Sequence, residues 1–570
     1  MELDKMRTLA IVVLAALSTT VFAKPQYTNS KPLTDVVRAT VASVKGGATQ
    51  IPLITWGADI RTIHANGNQR KTAKGSIFQQ QGLNLRLQRE DSFPKQLKNY
   101  MEGQSPYLRG TLGMITMASP LLNKDPRTKP VVIYQLSESA GGDAMVVKKG
   151  INKPRDLKGK VIAVQAYGPH IAYLTKVLND SGLSASDVKI RWLPDLTATD
   201  NSPMAAFYEK DVDAAMVIIP DALALTSGGN VGTGSEASVS GARILISTKT
   251  ASRIIADVYA VRSDYFKSHR GNVDKFVRGL MLAQTEVADL IKNSANKRSQ
   301  YQALMRSSGD ILLDSAQATA DAEGLYADAM HMTVSDNSQF FTNNNNPRRF
   351  QKRIKEISKS FTTLGLMQGG TTIAHAKWNY GQMGAGISSN TQQQKFNERK
   401  LATAIAKRQQ QGTLKEGEIF SFEVFFQPNQ KVFSADLYNK SFDRLIELAS
   451  TYGGAVITVE GHSDPLGYLK KKKAGSNDLI LRRIKQSAKN LSLTRANAVR
   501  NSVIDYASKR QITLDPSQFA IVGHGINSPK SGICGSDPCA PKTERQWRDN
   551  MRVKFRILQL EAESDVFQPL

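Results

Sequence analysis

The chain has 570 residues, enough for about two to four domains at roughly 150 residues each. Its hydrophobic fraction of 41% and charged fraction of 22% are ordinary for globular proteins and exclude a fibrous or wholly disordered chain. Lys and Arg number 75 against 50 Asp and Glu, and the formal charge of +25 predicts an anionic partner: nucleic acid, lipid or cell-wall polymer.

The first 23 residues have the layout of a cleavable secretory signal peptide. Lys5 and Arg7 precede the apolar run LAIVVLAAL, which is too short to span a bilayer, and Val21 and Ala23 occupy the −3 and −1 positions of a cleavage site. A buried N-terminal helix is the alternative. Cleavage predicts an exported, periplasmic protein, for which nucleic acid is no longer the default partner. No cysteine follows the apolar run, so we expect no lipid anchor.

Residues 45–365 are predicted to form a first folded unit. Up to about residue 290, short apolar runs alternate with amphipathic stretches, which is the pattern of an α/β domain. From about 295 onward the pattern is helical. The predicted strands are 51–55, 114–117, 131–136, 144–147, 161–164, 214–219 and 258–261, and the predicted helices include 171–181 and 273–293.

Three blocks of this unit resemble a known family. The block INKPRDLKGKVIAVQAYGPH starts at Ile151, GLSASDV starts at Gly182, and KDVDAAMVIIP ends at Pro220. Together they resemble periplasmic substrate-binding proteins of the nitrate, sulfonate and taurine type, a class that includes phosphate ABC transporter-like members. The resemblance implies a type II periplasmic-binding-protein fold with two α/β lobes around a cleft. It also implies a small anionic or zwitterionic solute and an ABC permease as partner.

The cleft residues follow from the position of loops after predicted strands. In such folds ligands lie where strands deliver their carboxyl ends to helix N-termini. Free N–H groups after Pro169 would suit an oxyanion or carboxylate, whereas two acids in the cleft would favour an amine or zwitterion. Packing, capping or ion pairing is the alternative role for each residue. The predicted solute-binding residues are Trp56, Asp59, Ser119, Tyr167, Gly168, His170 and Asp221.

Residues 366–412 are rich in Gly, Ser, Thr and Gln and are predicted to be an interdomain linker, with a polar helix near its end. A second unit is predicted at 413–560. Its predicted strands are 419–426, 455–460, 519–523 and 552–558, and its predicted helices are 434–452 and 491–509.

Four blocks of the second unit resemble another family. They are ITVEGHSD, ending at Asp464, LSLTRANAVRNSV from Leu491, IVGHGINSP from Ile521 and DNMRVKFRI from Asp549. In this order they resemble the OmpA-like peptidoglycan-binding domain. The resemblance implies an α+β fold that binds the diaminopimelate of a peptidoglycan stem peptide.

Carried over residue by residue, the resemblance assigns a ligand clamp. Asp464 matches the position that holds the ammonium of diaminopimelate, and Arg495 matches the one that holds its carboxylate, for which a planar guanidinium is suited. Asn550 and Arg552 match the terminal asparagine–arginine block of the family. We expect Ser492 to cap the helix that carries Arg495, with the first amides of that helix as further anion donors.

One segment departs from the family pattern. Residues 468–490 form a longer, basic insertion that contains the run Lys470–Lys473. It is interpreted either as a solvated loop or as a contact with anionic wall or lipid groups.

The only two cysteines, Cys534 and Cys539, lie in a Gly- and Pro-rich segment. They are half of a zinc site at most, and export favours a local disulfide.

No motif in the chain predicts catalysis. The sequence lacks HExxH, GxSxG, Walker A and Rossmann patterns in a supporting context, and we predict neither enzyme activity nor a metal or other cofactor. The sequence therefore predicts a periplasmic, cell-wall-associated solute-binding protein with peptidoglycan, a small solute and an ABC permease as partners, and no nucleic acid. The alternative is an envelope scaffold or sensor that uses the same fold for interactions.

Overall fold

The computed structural model describes residues 24–235, 237–387, 396–415, 417–426 and 438–559. The predicted signal peptide lies outside these residues. The strands are β1 Thr49–Leu53, β2 Leu85–Arg89, β3 Tyr107–Thr111, β4 Pro130–Ser139, β5 Asp143–Val147, β6 Val161–Gln165, β7 Lys189–Leu193, β8 Ala214–Ile218, β9 Arg243–Ser247, β10 Ala256–Arg262, β11 Ala329–His331, β12 Ala374–His375, β13 Glu418–Phe425, β14 Val456–His462, β15 Phe519–Gly525, β16 Ile533–Cys534, β17 Asp537–Pro538 and β18 Arg552–Leu558.

The helices are α1 Leu33–Val36, α2 Ile60–Ala65, α3 Ile77–Gln80, α4 Phe93–Met101, α5 Leu112–Leu122, α6 His170–Asp180, α7 Pro203–Phe207, α8 Ile219–Leu225, α9 Ser263–Ser268, α10 Arg270–Lys292, α11 Arg298–Leu313, α12 Thr319–Ala327, α13 Val334–Thr342, α14 Phe350–Thr363, α15 Tyr380–Met383, α16 Glu398–Gln411, α17 Asn439–Thr451, α18 Leu466–Lys473, α19 Asp478–Ser508 and α20 Glu544–Asn550. Within the described ranges, no helix is both long and apolar enough to cross a bilayer.

Two five-stranded sheets form the centres of two lobes in the first unit. The first-lobe sheet has the order β11-β4-β10-β3, with β12 parallel to β4 and the other pairs antiparallel. The second-lobe sheet has the order β7-β6-β8-β5-β9, in which β6 is parallel to β7 and β8 while β5 is antiparallel to its two neighbours. The chain passes between the lobes twice, at 140–142 (the first crossover) and at 248–255 (the second crossover).

The two crossovers are hydrogen-bonded to each other. The Thr248 hydroxyl oxygen accepts from the amides of Gly141 and Asp143, both at 3.1 Å, and lies 2.8 Å from the Ser139 hydroxyl. The amide of Ser139 donates to the carbonyl of Ile255 at 3.1 Å. The two segments that connect the lobes are therefore hydrogen-bonded into one unit, which we call the cleft floor, and are not two separate hinges.

One predicted strand is a helix. Residues 114–117 lie inside α5, which is buried along nearly its whole length and begins where the Thr111 hydroxyl accepts from the Met114 amide at 3.2 Å. A short apolar run fits a buried strand and a buried helix equally well, so its periodicity could not decide. The predicted strands at 131–136, 144–147, 161–164 and 258–261 are confirmed as β4, β5, β6 and β10.

The segment predicted as a linker packs at both of its ends. At the first end β12 pairs with β4, and the buried Trp378 donates from its indole nitrogen to the Ile133 carbonyl at 2.8 Å. At the other end α16 places Leu401 and Ile405 in a buried cluster with Val456 of the second unit. Only residues 388–395, which are not described, separate these two packed portions.

The second unit is a four-stranded sheet with helices on both faces. The strand order is β13-β18-β14-β15, with β14 and β15 parallel and the other pairs antiparallel. The helix α19 lies so close to β14 that a Cβ on Gly461 would be 1.9 Å from the Ser492 carbonyl oxygen. Because α16 covers the opposite face, the mixed α/β core of this unit includes part of the predicted linker.

The second unit is docked on the first, at an interface that we call the dock. Asp180 of α6 accepts from Arg444 at 3.1 Å and from the Tyr452 hydroxyl at 2.9 Å, while Glu447 pairs with Lys176 at 2.9 Å. Lys352 of α14 approaches Glu447 at 3.7 Å. Although burial opposes ionisation, Lys176, Lys352 and Arg444 together lower the pKa of Glu447 to about 2.

The dock also holds the second crossover. The Gly454 amide donates to the Thr250 carbonyl and the Arg253 amide donates to the Thr451 carbonyl, both at 3.2 Å. A Cβ on Gly454 would lie 1.7 Å from the Lys249 carbonyl oxygen, so the close approach depends on glycine. A cavity of about 110 Å³ remains between the units.

Candidate functional site

The cleft between the lobes contains the first candidate site, at the first crossover. The Trp56 ring lies over Gly142, where a Cβ would be 2.6 Å from the ring, and its indole nitrogen donates to the Ser137 hydroxyl at 3.1 Å. The Asp328 carboxylate lies beside Gly141, where a Cβ would be 2.8 Å from Oδ1. Two consecutive glycines thus let an indole and a carboxylate from the first lobe reach the floor.

The second lobe adds a histidine held between two acids. His170, the first residue of α6, is fully buried and its Nε2 lies 2.7 Å from Asp143 Oδ1. Because an ionised carboxylate only accepts, Nε2 carries the proton, and the other ring nitrogen, Nδ1, has no partner among the described residues. Asp221 accepts from the Thr197 hydroxyl at 2.8 Å and interacts electrostatically with His170.

The cleft carboxylates sit in an environment that disfavours their charge. Burial and the neighbouring carboxylate of Asp143 raise the pKa of Asp328 to about 6, against the attraction of Lys249. Burial likewise raises the pKa of Asp221. Within the described part of the chain, the Asp328 carboxylate accepts no hydrogen bond and forms no ion pair. A ligand cation would supply the missing partner.

Four predicted cleft residues have partners elsewhere in the protein. Asp59 is enclosed by Arg109, with an oxygen–nitrogen distance of 2.8 Å, and Arg109 also pairs with Asp257 at 3.0 Å, all three being buried. Ser119 lies within α5, where its hydroxyl oxygen is 2.8 Å from the Thr116 carbonyl oxygen and 2.7 Å from the Thr371 hydroxyl oxygen. The structure does not bring Asp59 or Ser119 to the cleft.

Tyr167 and Gly168 shape the turn that leads into α6. Tyr167 has a left-handed φ of 61°, and its hydroxyl donates to the Lys31 carbonyl at 2.9 Å. A Cβ on Gly168 would lie 2.0 Å from the Gln165 side-chain oxygen. Of the seven predicted residues, Trp56, His170 and Asp221 lie around the floor. Asp143 and Asp328 were not predicted: Gly-Gly-Asp was a visible signal for Asp143, and no local pattern marked Asp328.

The second candidate site is in the second unit, where Asp464 and Asn550 are brought together. Asp464 accepts from the Leu466 amide at 2.9 Å and from the Asn550 side-chain amide at 3.3 Å, and burial raises its pKa. The Asn550 side-chain oxygen accepts from the amides of Lys530 and Ser531 at 2.6 and 3.1 Å. Asn550 therefore fixes the orientation of the Asp464 carboxylate.

Arg495 lies in this unit without a carboxylate partner among the described residues. Its side chain is 6% exposed, its Nε is buried and unpartnered, and its guanidinium lies 5.7 Å from the centre of the Phe426 ring. Burial lowers the pKa of Arg495, and no opposite charge in the described residues counters that effect. By contrast, Arg552 pairs with Glu423 at 3.0 Å and donates to the Ser528 carbonyl at 3.2 Å.

The expected cap at Ser492 is wrong. Helix α19 begins at Asp478, where the Asn477 side chain accepts from the Ile480 amide at 3.0 Å, and it continues through Ser492. The amides expected as anion donors near Leu491 are therefore inside a helix and already bonded. Cys534 and Cys539 are bonded to each other in the loop that precedes α20.

Part of the first unit matches known proteins. Residues 73–288 match the family model described as NMT1/THI5 like. The taurine-binding periplasmic protein of Escherichia coli K12 is 32% identical over 177 residues, which cover 31% of this chain and 49% of that protein. This chain thus spans about half the length of its curated relative. Trp56 and Asp328 lie outside the segment that matches the family model.

Solved structures also resemble the chain. One is the alkanesulfonate-binding protein SsuA from Xanthomonas axonopodis pv. citri bound to MOPS, with 16% identity, a TM-score of 0.37 and coverage of 57% of this chain and 96% of that one. Another is the periplasmic aliphatic sulphonate binding protein SsuA from Escherichia coli, with 15% identity, a TM-score of 0.38 and coverage of 59% and 95%. Residues 73–288 thus match the NMT1/THI5-like family model, and 177 residues of the chain are similar in sequence to a taurine-binding periplasmic protein.

Proposed function

We propose that this protein is a periplasmic solute-binding protein that captures a small zwitterion bearing an ammonium group for ABC-type import. The match of residues 73–288 and the two lobes joined by bonded crossovers support solute capture. The carboxylate of Asp328 favours an ammonium as its ligand, because a half-buried acid with no partner among the described residues gains most from a ligand cation. Trp56 offers an aromatic face to the same cation.

The second lobe would bind the acid group of the zwitterion. The first turn of α6, an eleven-residue helix that begins at His170, has no side-chain cap from the described residues, and its amide groups suit a sulfonate or carboxylate. An ammonium held at Asp328 of the first lobe and an acid group held at α6 of the second would bridge the cleft, so that binding favours lobe closure.

Calorimetry with taurine and isethionate tests this assignment. The two sulfonates differ in an ammonium against a hydroxyl group, so we expect taurine to bind more tightly, by about tenfold or more for a charge-assisted contact. Asp328→Asn should remove the preference, while Asp321→Asn, an exposed acid in α12, should retain it. Equal binding of both sulfonates contradicts the ammonium assignment. If taurine, other amines and simple oxyanions give no binding heat, the envelope-scaffold alternative is favoured.

We further propose that the second unit tethers the protein to peptidoglycan. The Asp464 carboxylate, oriented by Asn550, would take the ammonium of diaminopimelate. The Arg495 guanidinium, which has no carboxylate partner within the described ranges, would take its carboxylate. The resemblance of the four sequence blocks to OmpA-like domains supports this assignment.

Sedimentation with purified peptidoglycan tests the tether. Arg495→Gln and Asp464→Asn should each weaken co-sedimentation about tenfold or more, because each removes a charge-assisted contact from the zwitterion. Arg399→Gln and Asp505→Asn, both at exposed positions, are the matched controls. Free diaminopimelate should compete with the wall for the unchanged protein. Undiminished sedimentation of both variants contradicts the clamp.

A further inference from the structure

The segment 466–490, which we call the basic hairpin, consists of α18, a short turn and the first part of α19. It carries one acid, Asp478, against eight basic residues. Lys472 pairs with Asp537, and Lys485 lies 4.7 Å from the centre of the Tyr468 ring. Six basic side chains form no ion pair with any described residue: Lys470, Lys471, Lys473, Arg482, Arg483 and Lys489.

The hairpin is anchored at its base and exposed at its tip. Tyr468, Leu481 and Ile526 form a small buried cluster that holds it to the end of the sheet, and the Tyr468 hydroxyl donates to Asp537 at 2.8 Å. At the tip, Leu479 is 53% exposed and Ile480 is 42% exposed. Two further exposed aliphatic residues, Leu491 and Leu493, lie on the same helix.

This combination distinguishes between anionic partners. A hydrated wall polymer would use the lysines and arginines but gain nothing from exposed leucine and isoleucine. A bilayer uses both, because basic residues attract anionic headgroups while aliphatic side chains enter the boundary with the acyl chains. We propose that the basic hairpin binds the surface of an anionic phospholipid bilayer, with Leu479 and Ile480 entering the interface.

The helix geometry fixes where this surface would lie. Arg495 is sixteen residues after Leu479 in the same helix, a distance of about 24 Å at 1.5 Å per residue. The bilayer contact and the proposed wall clamp are thus at separate points of one rigid element. The bilayer contact requires neither solute capture nor wall binding.

Vesicle sedimentation tests the proposal, with the chain starting at Lys24 so that the apolar N-terminal segment contributes nothing. We expect binding to vesicles of phosphatidylglycerol and phosphatidylcholine in equal parts and none to pure phosphatidylcholine. Replacing Lys470–Lys473 by Gln should lower the affinity about a thousandfold, from about 1 kcal/mol for each of these basic residues near the surface. The control replaces four lysines elsewhere by Gln: Lys129, Lys149, Lys158 and Lys189.

The apolar tip is tested by Leu479→Ser with Ile480→Ser. We expect about a tenfold loss of vesicle affinity, while Leu223→Ser, an equally exposed residue of the second lobe, should change nothing. Arg495→Gln should retain vesicle binding, which separates this contact from the wall clamp. If the serine pair binds vesicles as the unchanged chain does, or if the hairpin lysines affect sedimentation with peptidoglycan and not with vesicles, the bilayer assignment is wrong.

Discussion

The cleft and the second unit present opposite charge problems. At the cleft floor Asp143 and Asp221 have hydroxyls and one histidine as their hydrogen-bond partners among the described residues, and the Asp328 carboxylate accepts no hydrogen bond from any of them. In the second unit the guanidinium of Arg495 is buried with no carboxylate partner in the part of the chain that the structure describes. Burying an unpaired charge costs free energy in both places. The comparison teaches that the missing partner, not the charged residue itself, indicates what a ligand must bring.

Arg109→Met should have the largest effect on stability, and it tests whether the buried acids near the cleft belong to the scaffold or to the solute site. The substitution leaves the buried carboxylates of Asp59 and Asp257 without their cation, so the free energy of unfolding should fall by about 3–5 kcal/mol. Urea unfolding measures the loss, with the exposed Arg86→Met as control. Taurine affinity of the folded variant should be unchanged, because Asp59 belongs to the scaffold. If the variant lost taurine affinity but kept its free energy of unfolding, Asp59 would belong to the solute site.

Gly454→Ala should have the next largest effect and asks whether the two sites are independent. Its Cβ would collide with the Lys249 carbonyl only in the docked arrangement, so the dock should lose about 3 kcal/mol. Small-angle scattering should report a larger radius, and proteases should cut the second crossover faster. Gly467→Ala, which meets nothing within 4 Å, is the control. An unchanged radius would mean that the interface adapts to the methyl group.

The pH dependence of solute binding should be the smallest effect. An ammonium pairs with the ionised carboxylate, and burial with the nearby Asp143 places the pKa of Asp328 at about 6. Affinity for taurine should therefore rise as pH increases towards 6, by about tenfold per unit, and level off above it. Titration calorimetry from acid to neutral pH measures the curve. Asp328→Asn should bind weakly with no such rise, and a rise that persists in this variant would assign the titration to another group.

The sequence marks candidate residues of the second unit by motif, whereas it marks those of the cleft floor only in part, for a physical reason. Asp464, Asn550 and Arg495 belong to blocks with fixed spacing, so one motif carries the set. The cleft floor instead joins Trp56, the Gly141–Asp143 turn, His170 and Asp328, which are distant in sequence, and β11 brings Asp328 there by pairing with β4. Such pairing leaves no local pattern around Asp328. The predicted lobes and most strands needed only alternation and apolar runs, which are local signals.

The basic insertion shows a different limit of prediction from sequence. Its charge was evident from the lysine run, but the helix through it was not, since Gly475 and Asn477 interrupt the pattern and α19 begins directly after them. The family pattern placed the helix start at Leu491, and α19 instead starts thirteen residues earlier. The resemblance therefore supplied candidate ligand residues, which stay predictions, but not the length of the helix that carries Arg495.

The packing of both ends of the predicted linker has a consequence for the dock. Between Ile387 and Phe396 the backbone can span at most about 30 Å, because each residue adds no more than about 3.3–3.6 Å. Because the connection is so short, the second unit meets its docking surface at an effective concentration in the millimolar range, whatever the concentration of the protein. An interface too weak to join two separate molecules would therefore remain closed most of the time in one chain, and would reopen without the second unit leaving the reach of the first.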